Sequence, residues 1–199
     1  MAKVQPIHRS GGWSGFHRLY RQAAHAAVNE LNGSHRKLGE TWKRLDVPGG
    51  EAVLPEYMRQ LEAYVVLSAT AEIYCAMAIE ALLNFYGVNR LGEEFYIRNL
   101  ERISIVAKLE LLLATCDGVI LSKDEELSGL LRRLSQRRNQ LVHPKSREFK
   151  IDRVSPANWA DEAPKIVEHT VGEMERFFVL FAAINENTKS AVQFFETAV

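Results

Sequence analysis

Apolar side chains recur at helical spacing along most of the chain, and no alternating run is long enough to read as a strand. From Ser14, a suitable N-cap, the positions Leu19, Ala23, Ala26, Ala27 and Leu31 fall on one helical face. The pattern continues through Trp42 and Leu45, with a break expected at Asn32-Gly33. Asp46-Val47-Pro48-Gly49-Gly50 reads as a turn. Pro55 suits the first turn of a helix that reaches roughly Tyr86, with Gly87 as the residue just past its end. The middle of that helix, VVLSATAEIYCAMAIEALLNFY, is apolar nearly all the way round. Such a helix has to be packed on several sides, so it is predicted to be the centre of a bundle.

A short helix is expected over residues 93–100, then a leucine-rich one over 103–115 that ends at Asp117-Gly118. Ser122-Lys123-Asp124-Glu125 matches a capping box and opens a helix running to about Val142. Pro144 disfavours helical backbone at His143, which sets the stop. A polar loop over 144–160 precedes a last helix over 163–187, with Val167, Val171, Met174, Phe177, Phe178 and Phe181 on its apolar side. The sum is an all-α chain folded as an antiparallel four- to five-helix bundle. Its organisation reads as a flexible arm (1–13), an N-terminal helical segment and loop (14–55), and the bundle (56–190).

Composition changes this picture little. The 199 residues are 47% hydrophobic and 25% charged, which suits one domain with a real core. Net charge is zero, so an argument for nucleic acid has to rest on a local patch. Cys75 and Cys116 each sit in an apolar helical pattern and read as buried thiols of a reducing compartment, the cytoplasm. The opening MAKVQPIHRSGGW has no apolar core of a signal peptide, and charged residues such as Glu62 and Glu72 interrupt the apolar run, so no membrane span is expected. There is no Gly-rich phosphate loop and no G-x-S-x-G. His17 and His25, two turns apart, lack a third ligand of matching spacing, so neither a metal site nor a cofactor is expected. Trp13, Trp42 and Trp159 stand in or beside loops, where packing against helix ends is favoured over base stacking.

The one strong charge imbalance is residues 132–150, RRLSQRRNQLVHPKSREFK. Seven side chains are basic there (Arg132, Arg133, Arg137, Arg138, Lys145, Arg147, Lys150) against a single Glu148. A run of this kind is either a solvated helix face or the footprint of a phosphate-bearing ligand. Periodicity sharpens the choice. At about 100° per residue, Leu130, Leu131, Leu134, Leu141 and Val142 all lie within about 60° of Leu127. Arg138 lands about 20° from Leu127, near the centre of this apolar stripe. A guanidinium is not buried there unpaired, so either a carboxylate meets it or the stripe opens into a polar cleft.

Arg138-Asn139 followed by His143 and Pro144 resembles the R-N-x-x-x-H signature of HEPN domains. The setting is similar too: the motif ends a late helix, and the central helix upstream carries Ala78-Ile79-Glu80-Ala81-Leu82-Leu83-Asn84. Arg18 and His25 share the Arg/His spacing, but Leu19 follows that arginine. The resemblance implies an HEPN-type bundle over roughly 56–187. It implies metal-independent RNA cleavage with Arg138, Asn139 and His143 as catalytic residues, and homodimers in which two motifs face one cleft. It also implies a place among toxin–antitoxin or phage-defence proteins, with a cognate antitoxin as partner in the former.

The chemistry suits these residue types. Attack of a ribose 2′-OH on the neighbouring phosphodiester needs a proton acceptor, a proton donor and positive charge on the phosphorane. A histidine with a pKa of about 6.5 does the proton work at neutral pH. An arginine fork holds two non-bridging oxygens, and Asn139 orients either group. Arg132, Arg133, Arg137, Lys145 and Arg147 are the expected RNA-binding side chains. Two other readings stand beside this one. Arg138 pairs with Glu80, with Asn84 one turn on joining the network, in a non-catalytic dimerisation or ligand-binding module. His143 caps a helix C-terminus, where the dipole favours a cation. On an ideal helix residues five apart point about 140° away from one another, so Arg138 and His143 do not share a face automatically.

Overall fold

The structure, a computed structural model, describes residues 16–122, 125–142 and 156–193. Among them the chain is all-α, a helical bundle without strands: α1 (Phe16–Leu45), α2 (Leu54–Leu91), α3 (Glu93–Asn99), α4 (Ile105–Asp117), α5 (Glu126–Val142), α6 (Pro156–Ala182) and α7 (Glu186–Gln193). A short 3₁₀ turn, Gly50–Val53, links α1 to α2. Pro55 sits in the first turn of α2, where its missing N–H costs no hydrogen bond.

The polarity of α2 decides the architecture. It has apolar side chains on every side, and each of the other six helices packs against it. Tyr64, Ala71, Cys75, Ala78, Ile79, Leu82 and Leu83 are fully buried along it. Two apolar clusters result. The larger joins the second half of α2 to α3, α4, α5, α6 and α7. The smaller joins the first half of α2 to α1 and Val167 of α6. Of the described residues, only the run Gly50–Leu91 is long and apolar enough by composition to cross a membrane. Burial pushes the Cys75 thiol up to about 12, so it stays neutral, and both cysteines are free thiols.

Several boundaries differ from expectation, each for a local reason. Asn32-Gly33 does not break α1, which buries Leu31 and Leu38 on either side of it. Gly87 lies inside α2 rather than past its end. A Cβ there would sit 2.5 Å from the Tyr96 ring of α3, so glycine is what lets that ring approach. The stop falls instead at Gly92, whose φ of 84° favours glycine. Residues 156–160, expected as loop, belong to α6. The last expected helix is two. The Asn185 side chain accepts from the backbone N–H groups of Asn187 and Thr188 and starts α7 afresh. One half of the expected capping box is present: the Ser122 backbone N–H donates to the Glu125 side chain at 3.0 Å, but the Glu125 N–H meets the Ser122 backbone carbonyl rather than its hydroxyl, and α5 starts only at Glu126. The expected arm, residues 1–13, lies outside the described residues.

At the junction of α1, α2 and α6, buried His17 packs between the rings of Phe85 and Phe178, centroids 5.9 and 6.2 Å away. Burial holds its pKa down at about 4, helped by the Arg21 charge and opposed by a hydrogen bond with the Val192 backbone. Arg21 lies over the Phe178 ring and clasps Glu175, which also meets His25 at 2.8 Å.

Two outcomes are expected. Gly87→Ala drives a methyl into Tyr96 and lowers stability by about 1–3 kcal/mol in urea unfolding. A gain, as exposed helical alanine gives, would mean that Tyr96 yields freely. For His17, the unfolded chain takes up a proton between pH 6.5 and about 4 that the folded chain refuses. Stability therefore falls as pH drops through that window, by on the order of 3 kcal/mol, and His17→Phe removes this slope. Urea midpoints at pH 7 and 4.5 read it out. An unchanged slope in the variant places the acid sensitivity elsewhere.

Candidate functional site

The apolar stripe of α5 explains the site. Leu127, Leu130, Leu131 and Leu134 are buried against α2 and α6, with Leu134 at 1% exposure. About two turns later the stripe leaves the core: Leu141 is 36% exposed and Val142 41%. Between these levels it opens into a pocket of about 220 Å³. From α5 come Leu131, Leu134, Ser135, Arg138 and Asn139, and from α2 come Ala76, Ile79 and Glu80. The third wall is Ile103, Ser104 and Ile105, where Ser104 caps α4 by accepting from the Ala107 N–H.

Arg138 and Glu80 thus line one cavity from facing helices, yet no ion pair joins them. The Arg138 guanidinium donates to the Asn139 side-chain oxygen at 3.1 Å. Among the described residues it meets no carboxylate within salt-bridge distance. His143 follows the last residue of α5 in sequence and lies outside the described residues, as do Lys145, Arg147 and Lys150.

The remaining basic side chains of α5 divide by helix face. Arg132 is exposed. Arg133 donates to Glu173 of α6 at 2.5 Å, and Glu173 is buried with His169 3.5 Å away. Arg137 donates to the Thr170 hydroxyl and to the Ile166 carbonyl, and stands 3.9 Å from Glu72 of α2. Burial raises the pKa of Glu72, against the pull of Arg137. Both arginines therefore tie α5 to its neighbours, and part of their charge is offset within the fold.

Behind the pocket lies a polar network that periodicity had not singled out as a whole. The Lys108 side chain of α4, 1% exposed, donates to Asn84 at 2.7 Å and to the Glu101 carbonyl at 3.4 Å. The Tyr96 hydroxyl donates to the same Asn84 oxygen. Lys108 also lies 5.4 Å from the centre of the Tyr96 ring. Burial lowers the Lys108 pKa, while the Glu80 and Glu101 charges hold it up. Asn84 is thus the acceptor that joins α2, α3 and α4, and Glu80, one turn earlier, looks from the network into the pocket. The signal was available: Lys108 falls in the apolar stripe of α4 with Leu109 and Leu112, as Arg138 does in that of α5.

Removing the acceptor should cost more than removing the charge. Asn84→Leu strands a buried ammonium and is expected to lose about 3–5 kcal/mol, whereas Lys108→Met is expected to be neutral or stabilising. Equal losses in urea unfolding would mean that Lys108 is not held charged in the core.

Compared with known proteins, the chain matches no family model, no curated protein and no solved structure.

Proposed function

We propose that the chain is an HEPN-type, metal-independent endoribonuclease. The single observation that carries this reading is the Arg138 guanidinium at an open pocket with no carboxylate bound to it. A structural arginine in an apolar stripe would be expected to close on an acid, as Arg133 and Arg137 do. A guanidinium left open at a cavity suits an anionic ligand. Its R-N-x-x-x-H context names the anion as RNA phosphate.

In this reading Arg138 holds two non-bridging oxygens of the scissile phosphate, and Asn139 fixes the Arg138 fork through the bond they share. His143, next in sequence after α5, moves the proton. The 2′-OH gives up its proton as its oxygen bonds to phosphorus. The 5′-oxygen of the next nucleotide leaves and is protonated, and a 2′,3′-cyclic phosphate remains. Arg132, Lys145 and Arg147, with the residual charge of Arg133 and Arg137, hold the flanking RNA. The chain acts as a homodimer in the cytoplasm. Val65, Val66 and Met58, exposed along α2, supply apolar area of the kind a second copy covers. A role as a toxin or phage-defence nuclease, with a cognate antitoxin in the former case, follows from the same resemblance.

Purified protein incubated with an RNA panel, tRNA included, in EDTA tests this. Wild type is expected to leave cyclic-phosphate ends. His143→Ala and Arg138→Ala, shown folded and of unchanged oligomeric state, are expected to lose about 10²–10⁴-fold in rate. Equal cleavage by wild type and His143→Ala would make the His143 assignment wrong. Silence from all three would favour the non-catalytic dimerisation or ligand-binding module.

A further inference from the structure

Two opposite charges line the pocket and do not pair. Arg138 comes from α5 and Glu80 from α2, and both line the cavity between the helices. Glu80 makes no hydrogen bond or ion pair among the described residues, although the buried Lys108 ammonium lies within its field. A ligand that fits this arrangement brings an anion to Arg138 and N–H donors to Glu80. Between the two, it needs a surface that tolerates Ile79, Ile103, Ile105, Leu131 and Leu134. The cavity, about 220 Å³, is below the roughly 300 Å³ at which sites for drug-sized ligands begin, so it takes one small unit of a larger molecule.

We propose that this pocket binds one unpaired guanine of the RNA, with the Glu80 carboxylate on its N1–H and N2–H edge and Arg138 on the adjoining phosphate. This rests on the RNA reading above and adds a base preference to it. The chemistry singles out guanine. An ionised carboxylate only accepts hydrogen bonds, and its two oxygens match two parallel N–H donors. Guanine alone of the four bases offers such a pair on its Watson–Crick edge. Adenine and cytosine set one amino group beside a ring nitrogen acceptor, which faces the second carboxylate oxygen with like charge. Uracil has one N–H between two carbonyls. The ring faces are apolar enough to lie between the aliphatic side chains, in the manner of splayed single-stranded bases. Ser104 and Ser135 stand on the lining as further partners for the base or ribose.

The test uses the full chain and two kinds of probe: the four 3′-mononucleotides, and single-stranded trinucleotides with or without a central G. Calorimetric titration is expected to give a preference for G of about tenfold to a hundredfold, the range set by one bidentate contact. Glu80→Gln should bring the four bases to near equality. Arg138→Gln should weaken all four alike and leave their order. Ser135→Leu, which fills the mouth of the pocket without touching the Lys108 network, guards against a folding defect in Glu80→Gln and should also erase the preference. Equal binding of all bases by wild type, or a G preference that survives Glu80→Gln, overturns the proposal. RNA cleavage without base preference sinks the guanine pocket and leaves the nuclease standing. G-selective binding without cleavage does the reverse. Neither binding nor cleavage removes both.

Discussion

A helix that is apolar nearly all the way round cannot meet solvent on any side without exposing apolar area, and the second half of α2 is such a stretch. Burial of apolar surface is worth about 25 cal/mol per Å², so its Leu, Ile, Tyr and Phe positions reward every neighbour that covers them. That constraint accounts for the arrangement of the rest: α3, α4, α5, α6 and α7 join its second half, and α1 runs along it from Tyr57 to Phe85. It also accounts for Gly87. With six helices competing for one surface, the α3 approach is close enough that only a residue without Cβ leaves room for the Tyr96 ring.

Packing helices this tightly puts charged side chains into the interfaces, where each needs a partner. Arg21 meets Glu175, Arg90 meets Asp117, Arg133 meets Glu173, and Arg137 meets Glu72 and Thr170. Lys108 has no carboxylate bound to it and is held by Asn84 and a backbone carbonyl. Arg138 and Glu80 differ from these pairs: at one cavity these two side chains of opposite charge share a lining from facing helices, without an ion pair between them.

Much of this was legible. The apolar middle of α2 and the helical stretch of α5 follow from spacing and local chemistry. Arg138 was found as a charge out of place in an apolar stripe. What was not legible depends on distant partners. Gly87 and Asn32-Gly33 read as breakers because their helical neighbours were invisible. Arg133 and Arg137 read as free cations because Glu173 and Glu72 lie tens of residues away. The division of the last helix at Asn185 was legible in principle, since Asn followed by Thr188 is a capping pattern. It was overridden by the long aromatic stripe that ends at Phe181. Lys108 carries the same signal in α4 that Arg138 carries in α5, a charge on the buried face beside Leu109 and Leu112.

The position of the pocket has a consequence for how precise it can be. Its charged groups stand on α2 and α5, whose neighbouring residues Ile79, Leu131 and Leu134 are almost wholly buried. Side chains one turn from such anchors have little backbone freedom, and supports of this kind hold a site more closely than loops do. Glu80 is braced further, because Asn84, one turn on, is locked by two donors at once. Interiors near crystal density also resist any shift of α2 toward α5. The same packing that stabilises the bundle therefore holds the walls of the pocket in place. The cost is an electrostatic stabilisation left unmade in the free protein, and a ligand that satisfies both charges recovers it.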